Sequence, residues 1–334
     1  MTGSRNGTRS RDDGPAGPPG GLIVGAYATS PYRNDWHPEF ESRLFDLLSA
    51  MPGLRGLEIP WFGSLHQFDD NWLLTHLRPH WDLVLNDIGS GLRGVAADST
   101  YGLASRDRLG RMSALKMAAR LRDDVDRLNQ AAGRQAVIAV EFHSPPPRMS
   151  SSEALAESLA RIQSWDWGET SLLVEHCDAL VAGHPPAFGY LSLTDELSAV
   201  ISSGTDFGIS INWGRSAIEL RDPDRVLEHI AEARSAGLLR SIVFSGAASQ
   251  DTEFGPSWVD AHLPPAASNT NKFGEPASLL TPGRMKSVLD TSGQLDWIGL
   301  KIAARPVDLP LAGRIQLLSD SIRLVNEARA SASV

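Results

Sequence analysis

Apolar and polar positions along this chain fall into blocks. Eight short apolar runs stand out: Leu22–Ala28, Leu54–Pro60, Asp82–Asn86, Ala136–His143, Ser171–His176, Phe207–Asn212, Ser241–Ser245 and Trp297–Ile302. Most are separated by stretches of helical length with apolar residues three and four apart, as at Phe40, Leu44, Leu47 and Leu48. Strand-length runs alternating with such helices predict βαβ units and a parallel sheet. Eight units in 334 residues predict one α/β chain, a single (β/α)8 TIM barrel over residues 21–330. The longest helix is expected from about Ser113 to Ala132, and Thr194 is the expected cap of the helix after strand five. Helix six is expected to start near Pro223, which leaves Trp213 and Arg215 in a loop. Asp87 to about Arg108 reads as a long loop without secondary structure, and Gly246 to about Thr281 as a second. Residues 1–20 carry Gly, Ser, Pro and Asp without an apolar stretch, the pattern of a disordered tail rather than a signal peptide.

Composition narrows the partners. A formal charge of −9 gives no electrostatic reason to expect nucleic acid or an anionic membrane. No segment approaches the ~18 apolar residues of a membrane span. The lone cysteine, Cys177, cannot form an internal disulfide; it reads as a small core residue in a cytoplasmic protein. The expected partner is a small carbohydrate-like molecule, with homo-oligomerisation left open.

Barrel enzymes place their chemistry at the C-terminal ends of the strands. Here those ends carry Glu58, Asn86, His143, Glu175, Asn212, Ser245 and Lys301. Residues two apart on a strand share a face, so Glu141 and His143 point the same way, with Glu175 on the next strand. Two carboxylates and an imidazole together suit acid–base work or a divalent ion. Lys301 interrupts an apolar run, and a buried lysine needs an acidic partner, Glu175 or Glu58. Facing the lumen, it would stabilise an oxyanion, move protons or form a Schiff base. Asn212, Trp213 and Arg215 combine an amide, an aromatic face and a guanidinium, a set suited to a polyol or sugar acid. Tyr27, Trp61 and His66, at the first two strand exits, extend that surface, and Ser245 reads as a hydrogen-bond donor. No glycine-rich phosphate loop, His-Glu-x-x-His or spaced cysteine pair is present, so no cofactor is predicted.

With the exits placed, Gly56-Leu-Glu-Ile59, Leu172-Leu-Val-Glu-His-Cys-Asp178 and Trp297-Ile-Gly-Leu-Lys-Ile302 resemble the xylose-isomerase-like TIM barrels, the sugar phosphate isomerase/epimerase superfamily. Val24-Gly-Ala-Tyr-Ala-Thr-Ser-Pro31 with Val174-Glu-His-Cys-Asp-Ala179 is similar to a bacterial branch, the domain-of-unknown-function 4862 group. The superfamily commonly binds a divalent ion through Glu, Asp, His and Glu at the ends of strands five to eight. The matching positions here are Glu175, Asn212, Ser245 and Lys301, which implies an altered or absent metal site with Lys301 in place of the ion. If Mn or Mg binds, the fallback ligands are Glu141, His143 and Glu175. The resemblance implies an isomerase or epimerase in which Glu175 moves a proton next to a carbonyl and Lys301 meets the oxyanion. The alternatives are a lyase or hydrolase on a keto-sugar or C-glycoside, using Glu141 with Glu175, and a non-catalytic sugar-binding barrel.

Overall fold

The computed structural model describes residues 20–32 and 35–332. All but Gly20 of the expected disordered tail lies outside them. In chain order the elements are β1 (Leu22–Val24), a 3-10 turn (Ala26–Thr29), α1 (Pro38–Ser49), β2 (Leu54–Pro60), α2 (Asp70–His76), β3 (Asp82–Asn86), α3 (Ile88–Ala97), α4 (Arg108–Ala132), β4 (Val137–Phe142) and α5 (Ser152–Gln163). They continue with β5 (Ser171–His176), α6 (Leu193–Ser203), β6 (Gly208–Asn212), α7 (Trp213–Leu220), α8 (Val226–Ser235), β7 (Leu239–Phe244), α9 (Pro282–Ser292), β8 (Trp297–Leu300) and α10 (Leu311–Ala332). The strands pair in sequence order, all parallel, and β8 returns to β1 to close the barrel.

Strand alternation divides the core in two. Leu57, Leu85, Phe142, Val174, Ile211 and Phe244 face outward and merge with the apolar faces of the helices. Ile23, Val84, Ala139, Leu173, Val243 and Trp297 face inward as a separate cluster that plugs the lower lumen. Both faces of the sheet are covered, which is why the strands read as continuous apolar runs. Above the plug the inward positions turn polar. Among the described residues no helix is long and apolar enough to cross a membrane.

Several elements differ from expectation. The segment read as a long loop after strand three contains α3. Its glycines disguise it, because glycine weakens helices, yet here they make room for rings. A Cβ on Gly89 would lie 2.3 Å from the Phe62 ring, and one on Gly94 2.3 Å from that of Tyr101. The longest helix starts at Arg108, capped by Asp107, and Ser192 rather than Thr194 caps α6. Strand β6 runs straight into α7, so Trp213 and Arg215 lie in a helix rather than a loop.

The register between β2 and β3 is tight at one point. A Cβ on Gly56 would fall 1.7 Å from the Asp82 carbonyl oxygen, a backbone atom that cannot rotate away. Gly56→Ala should therefore cost roughly 3 kcal/mol or more, or prevent folding. Denaturant titration measures this, and an unchanged midpoint contradicts the register.

Candidate active site at the barrel mouth

Glu175, on β5, is the hub. It is fully buried, and its Oε2 accepts hydrogen bonds from Asn86 Nδ2 (2.8 Å), His143 Nε2 (2.8 Å) and Arg215 Nη1 (2.7 Å). Its Oε1 accepts one from Asn212 Nδ2 (3.1 Å), with Lys301 Nζ at 3.9 Å. Asn212 ends β6 and caps α7: its Oδ1 accepts the Arg215 backbone N–H at 3.3 Å while its Nδ2 points to Glu175. That cap places Arg215 in the first turn of α7, where its guanidinium also reaches Asp260 (3.1 Å) and the Cys177 sulfur (3.3 Å).

Each cation around Glu175 meets a second acid. His143 donates from Nδ1 to Asp87 at 2.6 Å, Arg215 from Nε to Asp260, and Lys301 Nζ stands 2.6 Å from Glu58 Oε1. The Lys301–Glu58 contact is an ion pair off the angle of a hydrogen bond, so the buried ammonium donates none among the described residues. Burial works against an ionised Glu175, but Arg215, Lys301 and His143 together hold its carboxyl well below the ordinary range. Burial likewise disfavours the His143 cation, and Cys177, Asp87 and Glu175 outweigh it. Burial raises the Cys177 thiol and the Asp87 carboxyl as well, so the ionised Glu175 is the charge that chiefly holds the His143 cation near neutrality. Lys301 is held as a cation by Glu175 and Glu58 against the same desolvation. Glu141 goes the other way. Burial, with Glu175 and Glu58 nearby, pushes it up to about 8, leaving a neutral acid whose Oε2 accepts from Asn86 (2.7 Å).

A cleft of about 400 Å³ meets this network at Glu58 and is lined also by Tyr27, His66 and His262, with aromatic rings including Tyr32 and Trp36. Asn86, Glu141, His143, Glu175, Asn212 and Lys301 are packed out of solvent behind Glu58 and are not part of its lining. Burial pushes the Tyr27 hydroxyl above its ordinary range. His66 stands on the outer wall, 3.3 Å from Glu41. Ser245 faces the rim and shares a 3.0 Å hydrogen bond with His262 Nδ1. Two expected substrate contacts do not reach the mouth. The Trp61 indole donates to Asp124 of α4 at 2.8 Å, and Trp213 is packed in the outer core. Both are one residue out of step with the inward positions Glu58 and Asn212, so their rings turn toward the helices. Asp87, Asp260 and His262 are the polar partners that sequence reasoning missed; only the step from Asn86 to Asp87 offered a signal.

A model of the family "Domain of unknown function (DUF4862)" matches residues 23–317. The chain belongs to that family. It is 33% identical over 316 residues to "Uncharacterized protein STM3670" of Salmonella typhimurium, covering 92% of this chain and 97% of that protein. A putative xylose isomerase from Rhodospirillum rubrum matches in structure with a TM-score of 0.58 at 12% identity, covering 92% of this chain and 98% of that one. A D-psicose 3-epimerase, solved in the presence of D-fructose, matches with a TM-score of 0.54 at 12% identity, over 93% and 99%. These two likenesses are of fold.

In this DUF4862 protein the superfamily's metal positions do not suit a divalent cation. Arg215 and Lys301 already occupy the space facing Glu175, and Asn212 donates its amide N–H there. The set Glu141, His143 and Glu175 fits no better. Both His143 nitrogens are committed to carboxylates, and Glu175 Oε2 accepts three donors. A donor set of metal-binding type lies elsewhere, between the barrel and its helices: His176, Glu219 and His229, with ligand atoms within 4.8 Å of one another. There His176 faces outward, Nδ1 2.7 Å from Glu196 and Nε2 3.0 Å from Glu219.

The raised Glu141 carboxyl has a consequence for stability. The folded protein keeps a proton that the unfolded chain loses above about 4.5, so this contribution is full in acid and is lost as pH rises toward about 8. Between those limits it should weaken the folding equilibrium about tenfold per pH unit. Glu141→Gln mimics the neutral acid, so the wild type should lose stability relative to this variant from pH 5 to 8. Denaturant titrations across that range measure the difference, and parallel curves contradict it.

Proposed function

We propose that this DUF4862 protein is a sugar isomerase or epimerase that removes a proton next to a carbonyl and uses the Lys301 ammonium to stabilise the resulting enediolate. The observation that carries the reading is the Lys301–Glu58 pair, 2.6 Å apart, with Glu58 on the cleft wall and Lys301 Nζ lacking a hydrogen bond among the described residues. A buried, desolvated cation directly behind a carboxylate on the cleft wall suits stabilisation of an oxyanion formed beside that carboxylate. The base falls to Glu58 rather than Glu175. Glu175 is saturated by donors and kept off the cleft, so it accepts a proton poorly and instead anchors Lys301, Arg215 and His143. In the step, the Glu58 carboxylate takes the C–H proton, the C–H electron pair becomes the C=C bond of the enediolate, the C=O π pair moves onto oxygen, and Lys301 stabilises that charged oxygen. Tyr27 and His66 line the cleft and can bind hydroxyls, while the buried Ser245 holds the His262 ring. The names of the fold neighbours agree with this chemistry, but at 12% identity the weight rests on the site.

A lyase or hydrolase reading draws on one observation, the neutral Glu141 beside the ionised Glu175, a pair of acids with separated affinities for protons. It predicts cleaved products rather than a rearranged sugar.

Proton NMR in D2O with D-fructose, D-psicose and D-xylose distinguishes these readings. Isomerase chemistry exchanges the C–H next to the carbonyl for deuterium and yields an isomer. Glu58→Gln should slow this about 10²–10⁴-fold, and Lys301→Met about 10²–10³-fold. Lys301→Met also strands buried carboxylates and should cost roughly 3–5 kcal/mol, so rates are compared below its melting temperature. Unchanged exchange in both variants overturns the assignment.

A further inference from the structure

A second group able to move protons stands on the same cleft, in the irregular segment between β7 and α9. His262 has a backbone φ of +55°, and Trp258, four residues earlier, is at +60°. Residues other than glycine and asparagine occupy that region at a cost, and such strain clusters at functional positions. Backbone hydrogen bonds hold the segment in place. The Ala303 N–H, two residues past Lys301, donates to the His262 carbonyl at 2.6 Å, and Leu263 exchanges a pair with Gly246 at 2.8 and 3.1 Å.

The ring is held from one side only. Nδ1 is 3.0 Å from Ser245 Oγ and 3.1 Å from Asp260 Oδ1. Asp260 is fixed in turn by Arg215, the residue that grips Glu175. Nε2 has no partner among the described residues, and the imidazole forms part of the wall that also holds Glu58 and Tyr27. An imidazole with one nitrogen anchored beside a carboxylate and the other free toward a cleft is the arrangement of a proton-transfer group. Glu58 and His262 approach from different parts of the rim. β2 flanks β1 on one side, and the β7 exit lies beyond β8 on the other.

Building on the proposed function, we infer that His262, oriented by Asp260, returns a proton to the carbon that Glu58 deprotonates, so that the reaction inverts that carbon. The Glu58 carboxylate takes the C–H proton, and the electron pair passes into the enediolate held by Lys301. The Nε2–H of the His262 imidazolium then protonates the same carbon from the other face, and the carbonyl re-forms. Glu58 leaves protonated and His262 neutral, and solvent exchange resets both without an oxidant or reductant.

The test separates removal of the proton from its return. Wild type and His262→Asn, the substitution best tolerated at positive φ, are incubated in D2O with D-fructose and with D-psicose. Two rates are read by NMR: deuterium entering the recovered substrate, and formation of the epimer. Epimer formation should fall about 10²–10⁴-fold in His262→Asn while deuterium still enters the substrate within a few-fold of the wild-type rate. A structural role would lower both rates together, and that result, like no change in either, overturns the inference. His262→Gln repeats the measurement if the first variant melts below assay temperature. Exchange in the wild type with normal epimerisation in the variants sinks this inference alone. No exchange or epimer in the wild type with either sugar overturns both it and the isomerase reading.

Discussion

A carboxylate buried without solvent is costly unless its charge is met, and the mouth of this barrel is organised around meeting that of Glu175. Three cationic side chains, from β4, α7 and the end of β8, converge on it, and each is closed off by a further acid: His143 by Asp87, Arg215 by Asp260, Lys301 by Glu58. The pattern is a set of spokes in which charge alternates outward from the hub. Taking out any spoke leaves a desolvated charge facing the wrong neighbours, so the network behaves as a unit. It also spans the barrel, tying elements that the strand pairings alone would link only through intermediates.

The same arrangement gives the site of this chain its own character. A site built for a divalent ion keeps lone pairs pointed at an open position. Here the facing groups are donors: two amides, a guanidinium, an imidazolium and an ammonium. Positive charge at the mouth is thus a fixed part of the chain. Unlike a hydrated ion, it sits on side chains whose positions are set by strand register and helix capping.

Much of this was legible in the sequence, and the limits have physical causes. The runs that end in Glu58, Asn86, His143, Glu175, Asn212 and Lys301 mark a barrel because both sheet faces are buried and the lumen turns polar only near the strand ends. Alternation also places Glu141 correctly beside them. The same alternation turns Trp61 and Trp213, at odd offsets from Glu58 and Asn212, toward the helices, although their aromatic rings suggest a sugar-binding surface. Helix α3 was hidden because its glycines serve ring packing, which only the fold reveals. Asp260 and His262 lie in a segment with no periodicity, and their partners are far away in the chain. The ionisation of Glu141 and Glu175 is opposite although both are buried acids on neighbouring strands, and only the arrangement of cations separates them.

The junction at Asn212 has no slack. With the last residue of a strand serving as the first cap of a helix, the amide that starts α7 is also the amide that touches the hub. One inserted residue would turn the helix by about 100° and swing Arg215 out of the barrel. An insertion at the β6 exit would therefore disconnect the hub from its guanidinium while leaving every strand pairing in place.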